Sequence, residues 1–160
     1  MINNAGISGI VPQNALETNI SNYQEVYEVN LHGVIRTTQT FIDLLQKSSE
    51  PRIVNVSTSL ASLTLQSNPK WPAYDYGKYV VYASSKSAMN MYTVHLAYEL
   101  RNTAIKINAV CPGYTKTDFT NYIGGEVEDA GKRIVKYALI GNDGPTRKFF
   151  SEESNAETEE

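Results

Sequence analysis

The sequence is poor in the residues from which small folds build covalent or metal cross-links. It has one cysteine, Cys111, in 160 residues, which excludes an internal disulfide framework. Its two histidines, His32 and His95, stand at unrelated places and make no zinc site. Long hydrophobic runs are also missing: no window approaches the ~18 apolar residues of a membrane span. The opening Met1-Ile2-Asn3-Asn4 lacks the basic-then-apolar pattern of a secretory signal. A soluble, cytoplasmic protein without membrane contact is the expectation. Basic residues are scattered singly rather than gathered on a stripe, which argues against nucleic acid as a partner. Charge is sparse, at 19% of residues, and unevenly placed. Five of the 17 acidic residues and none of the 14 basic ones lie in the last ten positions, so residues 1–150 carry a net +2. That acidic run has no apolar periodicity and reads as a disordered tail over residues 151–160.

What is present suffices for one packed domain, expected over residues 1–150, since 41% of the chain is hydrophobic. The turn-rich tetrapeptide Asn3-Asn4-Ala5-Gly6 comes first. From about Ser21 to Gln46, residues suited to a packed face (Tyr23, Val26, Tyr27, Val34, Thr38, Phe41, Ile42, Leu45) recur at helical steps, until Ser48 to Pro51 stop them. Arg52 to Ser57 is a short β-branched run that fits a strand buried on both faces. Ser59 to about Gly77 holds Pro69, Trp71, Pro72, Tyr74 and Tyr76 with no period, the mark of a long ordered loop or a short inserted helix. A second helix is expected from near Val81 to Arg101, and a second strand over Ile105 to Val110, closed by Cys111-Pro112-Gly113. A charged helix then runs from Gly124-Gly125 to about Leu139, before a last apolar pair, Phe149-Phe150. Strands alternating with helices give α/β order, with parallel strands joined by helical crossovers.

Two places match Tyr-x-x-x-Lys: Tyr74 with Lys78, and Tyr82 with Lys86. With 11 Tyr and nine Lys, chance alone supplies about 0.6 such pairs, so context must separate them. Tyr74 lies in the Pro- and Gly-containing segment. Tyr82-Ala83-Ser84-Ser85-Lys86 opens the long helix, where i, i+4 spacing stacks both side chains on one face. A phenol titrates near pH 10, and an ammonium within about 4–6 Å favours the phenolate, which makes tyrosine usable as a general acid or base.

Five segments in order resemble the short-chain dehydrogenase/reductase family. Asn3-Asn4-Ala5-Gly6 is similar to its NNAG turn, Val29-Asn30-Leu31-His32-Gly33 to its helix Asn, and Ile53 to Thr58 to its active-site strand. Tyr82 to Lys86 resembles its YxASK motif, and Cys111 to Thr117 its Pro-Gly cofactor loop. The resemblance implies a Rossmann-like doubly wound parallel sheet and an oxidoreductase that takes NADP, with NAD possible, and reduces a small-molecule carbonyl compound or oxidises the alcohol. Tyr82 would then exchange a proton with the substrate oxygen as hydride moves to or from the nicotinamide. Lys86 would lower the phenol's pKa and hydrogen-bond the nicotinamide ribose. Thr58 would hold the carbonyl oxygen, with Ser57 as the substitute, and Asn30 would complete a proton relay through water. On the cofactor side, Pro112 and Gly113 would let the backbone approach the nicotinamide, with Tyr114 and Thr117 meeting its carboxamide and phosphate. Asn4, Ala5 and Gly6 would pass close to the adenosine-side ribose, and Val56 and Ser57 would also meet the cofactor. No metal is implied.

Two departures from the family pattern matter. The interval between Thr58 and Tyr82 is long, as in the carbonyl reductase-like branch, which favours a monomer because the insertion would cover the helix used for pairing. It would also roof the pocket with Trp71, Tyr74 and Tyr76, suiting an apolar or aromatic carbonyl compound. The second departure is that the chain contains no Gly-x-x-x-Gly-x-Gly turn after an opening strand, the family's pyrophosphate site. The expectation is therefore the C-terminal two-thirds of the fold. The alternative is a truncated, non-catalytic remnant or interaction protein that does not bind cofactor alone.

Overall fold

Each β-branched run expected to be a strand forms one, and all of them lie parallel. In the computed structural model, which describes residues 1–152, the strands are β1 (Ile2–Asn3), β2 (Arg52–Val56), β3 (Lys106–Val110) and β4 (Phe149–Phe150), in the spatial order β1-β2-β3-β4. The pairing is Ile2 with Val54, Ile53 with Ile107, and Val110 with Phe150. The helices are α1 (Ile20–Tyr27), α2 (Gly33–Leu45), α3 (Leu63–Gln66), α4 (Val80–Glu99) and α5 (Val127–Ala138). Most of the acidic run expected as a disordered tail, residues 153–160, lies outside the described residues.

All five residues of β2 are buried, as expected of a central strand covered on both faces. Alternation assigns the faces. Ile53 packs with Ala97 of α4 and with Ile107, and Asn55 donates to Thr93 Oγ1 of α4 at 2.8 Å. Arg52 points the other way: its guanidinium donates to Ile140 O (2.7 Å) and Asn142 Oδ1 (2.9 Å) in the turn after α5. The α/β architecture is thus a parallel sheet between helical layers.

The long helical segment expected from Ser21 to Gln46 is one continuous rod with a fault in it. Between α1 and α2, residues Glu28–His32 form a single π-helical turn, closed by Gly33 N–H to Glu28 O. Asn30 sits in that turn and is fully buried. Local widening of this kind is common at functional sites. His32 lies on the surface and pairs with Glu28 at 2.7 Å, and His95 is exposed, so neither takes part in the site.

The aperiodic interval from Ser59 to Gly77 folds as a 3-10 turn (Ser59–Ala61), the short α3, and a run of turns. Its Trp71 is buried, so it packs the segment from inside and does not roof a pocket as expected. Gly77 is required there, because a Cβ would lie 2.8 Å from Ala73 O and 2.9 Å from the Leu60 side chain. The segment meets α4 near Ser87, whose hydroxyl donates to Ala61 O at 2.7 Å. Further along α4, Met91, Val94 and Tyr98 are exposed, so the insertion covers only the first turns of that helix.

Candidate active site

The carboxyl ends of β1, β2 and β3 lie side by side, and the loops leaving them, with the first turns of α4, gather most of the residues singled out in the sequence. This is where open parallel α/β sheets bind ligands. Asn30 reaches into this region from the widened helical turn. Its Oδ1 accepts from Ile7 N–H (2.8 Å), and its Nδ2 donates to Ile7 O (2.9 Å) and to Ser85 Oγ (3.0 Å). Ser85 in turn donates to Tyr82 O at 2.7 Å. The Asn30 amide therefore ties the β1 loop to the start of α4. What it has left for a relay is the second lone pair of Oδ1.

Lys86 is buried, and its ammonium donates to Val56 O at 2.8 Å. The other two of its three N–H groups have no partner among the described residues. Burial lowers its pKa to about 8, since a charge in a poorly solvated site is disfavoured. Gly6 lies over both groups: a Cβ there would sit 3.2 Å from Asn30 Oδ1 and 3.3 Å from Lys86 Nζ. Glycine thus keeps open a small space between an amide oxygen and an ammonium.

Tyr82 is half-buried, and its phenol departs from the expectation. Its pKa is raised above the ordinary tyrosine value, first by burial and then by Cys111, with the hydrogen bond to the Thr58 hydroxyl working against the rise. Lys86, whose ammonium donates to Val56 O, does not hold the phenol below its ordinary pKa as expected. The structure also separates the two hydroxyls of the strand end. Thr58 is at the Tyr82 phenol, whereas Ser57 Oγ donates to Asn90 Oδ1 at 2.7 Å and faces α4.

The other Tyr-x-x-x-Lys pair is a surface contact. Lys78 Nζ lies 4.0 Å from the centre of the Tyr74 ring and donates to Gln66 O (2.8 Å) and Gln66 Oε1 (3.0 Å).

Beyond β3, Cys111 is a small buried residue whose sulfur accepts from Ser59 N–H (3.3 Å) and Gly113 N–H (3.4 Å), which pins the two strand-end loops together. Gly113 adopts φ +86°, a conformation that disfavours any Cβ. Arg133 of α5 lies across this turn, donating from Nη1 to Pro112 O at 2.7 Å and pairing through Nη2 with Glu152 at 2.6 Å. Tyr114 is exposed, Thr117 half-buried, and Asn4 and Ala5 exposed along the approach to Gly6.

Three residues of this neighbourhood gave no signal in the sequence. Gln13, buried, accepts from both Val81 N–H (3.0 Å) and Tyr82 N–H (3.1 Å), capping α4 where Tyr79 offers no side chain. Phe119 lays its ring against Tyr82, with centres 5.4 Å apart and planes tilted by 52°. Arg133 is the third.

Residues 1–127 match the short chain dehydrogenase family. The chain belongs to that family. It is 29% identical to a (+)-neomenthol dehydrogenase of Capsicum annuum, over 94% of this chain and 68% of that one. It is also 34% identical to a (-)-isopiperitenone reductase of Mentha piperita, over 76% of this chain and 48% of that one. Among solved structures, salutaridine reductase from Papaver somniferum superimposes with a TM-score of 0.77 at 26% identity, covering 94% of this chain and 71% of that one. An NADPH-bound carbonyl reductase from chicken fatty liver gives the same TM-score at 25% identity, covering 93% and 61%. The chain thus spans between about half and two-thirds of the length of several relatives it matches. Among the described residues no helix is long and apolar enough to cross a membrane, and no group of side chains could hold a metal ion.

Proposed function

We propose that this chain carries the catalytic side of an NADP-dependent oxidoreductase, with NAD as a possible substitute, that reduces a small carbonyl compound. Tyr82 is the proton donor. The observation that carries the reading is that Thr58 stands at the Tyr82 phenol while Lys86, one turn further along α4, and Asn30 of the π turn face the space that Gly6 leaves open.

The residues fit a nicotinamide nucleotide on its ribose side. Gly6 leaves room between an acceptor, Asn30 Oδ1, and a donor, Lys86 Nζ, and Gly113 lets a backbone turn approach closely. Lys86 would hold the ribose hydroxyls, with Asn4, Ala5, Gly6, Val56 and Ser57 along one side and Pro112, Gly113, Tyr114 and Thr117 along the other. When bound, such a group supplies hydride to the carbonyl carbon. The protein's own part is proton chemistry and alignment. Thr58 Oγ1 and Tyr82 Oη would share the carbonyl oxygen, and the Tyr82 proton would pass to that oxygen as negative charge develops on it. At neutral pH the Tyr82 phenol is protonated, the form that donation to a carbonyl oxygen requires. Asn30 and Ser85 fix the start of α4, so that the phenol keeps its aim.

The test is NADPH-dependent reduction of a panel of aldehydes and ketones by the protein expressed from its own gene, compared with Tyr82→Phe. A loss of about 100-fold or more is expected. A Tyr82→Phe protein within a few-fold of the original would show that another group is the acid.

A further inference from the structure

The loop that follows the Pro112-Gly113 turn is built as a closed frame. Thr115 and Gly125 form an isolated parallel bridge, with Lys116 N–H to Gly125 O at 2.9 Å and Gly125 N–H to Tyr114 O at 2.8 Å. Gly124 adopts φ +129°, where a Cβ would lie 2.4 Å from Tyr114 O, so the frame can close only through glycine. Inside it, Thr117 N–H donates to Thr120 Oγ1 at 3.2 Å, Thr120 Oγ1 donates to Thr115 O, and the Tyr122 hydroxyl donates to Asp118. A loop braced in this way presents its side chains in fixed positions.

What it presents towards the site is Phe119, on a 3-10 turn (Asp118–Thr120). The ring is in contact with Tyr82 yet remains 47% exposed, so it is not a core residue. Tyr114, Tyr122 and Ile123 of the same loop are exposed as well. Phe119 packs on the ring of Tyr82, so it is an exposed aromatic face next to the residue read as the proton donor.

We propose that Phe119 is a specificity-determining residue, an aromatic wall that selects carbonyl compounds bearing a flat, apolar, conjugated substituent over small aliphatic ones. The inference rests on reading Tyr82 as the proton donor. An aromatic wall favours a second π face through offset or edge contacts as well as through buried area, and an aliphatic group gains only the area. This also moves the expected aromatic preference from Trp71, Tyr74 and Tyr76 to a different loop.

The experiment measures binding, so it does not depend on turnover. Acetophenone and butan-2-one are titrated into the 160-residue chain carrying labelled Phe and Tyr rings, followed by NMR, with Phe119→Ala and Phe119→Leu beside it. Circular dichroism establishes that each variant is folded. Acetophenone is expected to shift the Phe119 and Tyr82 ring signals. Its affinity should fall roughly five- to ten-fold in Phe119→Ala, with butan-2-one changing less than about two-fold. Phe119→Leu, which keeps apolar area without a π face, should lose most of the same preference. An unchanged acetophenone-to-butanone ratio, or ring signals that do not move, overturns the proposal. Failure of the oxidoreductase reading would show elsewhere, as retained turnover in Tyr82→Phe.

Discussion

Lys86 is an ammonium removed from water with one carbonyl as its hydrogen-bond partner, and burial has lowered its pKa from 10.5 to about 8. Below pH 8 both folded and unfolded chains carry the proton, and the folded state bears the full cost of the buried charge. Between about 8 and 10.5 the folded amine is neutral while the unfolded one is still charged, so folding stability rises with pH across that window. Tyr82, whose pKa is raised, acts in the opposite sense only above pH 10, where its unfolded form begins to ionise. Urea denaturation of the original and of Lys86→Met at pH 7 and pH 10 isolates the lysine. The original should gain about 2–3 kcal/mol on the variant over that interval. A gap that does not change with pH would mean that the amine is better solvated than the structure indicates. At this scale the sequence was informative about identity and less so about environment. Spacing within a helix selected Tyr82 and Lys86 over Tyr74 and Lys78, but whether a phenol's pKa rises or falls depends on burial, which spacing does not encode. The choice of Thr58 over Ser57 followed the resemblance; alternation along the strand, which turns Ser57 towards Asn90, is a matter of the fold that the resemblance alone does not state.

Elements were legible where a period or a β-branched run was long enough to read. The strands at 52 and 106, and the helices ending near 45 and 99, lie within a residue or two of where the pattern put them. The π turn at Glu28–His32 was invisible to periodicity, since one extra residue in a 26-residue pattern shifts the apolar stripe too little to notice. The cap of α4 was invisible for a different reason: Gln13 is 68 residues away from the N–H group it accepts from. No local signature can report such a contact. It is nonetheless what aims Tyr82, because the capped groups are the N–H of Val81 and of Tyr82 itself. Replacing Gln13 by Ala leaves two buried or half-buried donors without an acceptor. We expect a loss of about 1–3 kcal/mol in unfolding free energy. Gln13→Glu keeps an oxygen at a helix N-terminus and should recover much of that loss. An Ala variant within about 0.5 kcal/mol of the original would show that water or a shifted loop replaces the cap.

For the molecule as a whole, the α/β class followed from element order, whereas the lateral order of strands came only with the structure, because parallel pairing is a long-range choice. The distribution of site residues across the sheet has a further consequence for ligand binding. The residues proposed to meet the cofactor, from Asn4 to Thr117, lie in segments that hold no glycine-rich turn leading into a helix. A pyrophosphate needs backbone N–H groups at a helix N-terminus behind a glycine-rich turn, and residues 1–160 contain no Gly-x-x-x-Gly-x-Gly sequence to form one. Arg133, beside the Pro112-Gly113 turn, is already engaged by Pro112 O and Glu152. The chain of these 160 residues alone should therefore bind NADPH more weakly than about 100 µM, measured by quenching of protein fluorescence or by calorimetry. Stoichiometric binding in the low micromolar range would contradict this. It would mean that the glycine-floored space at Gly6 and the Pro112-Gly113 turn supply most of the affinity, and that the phosphates are held by groups not yet assigned to them.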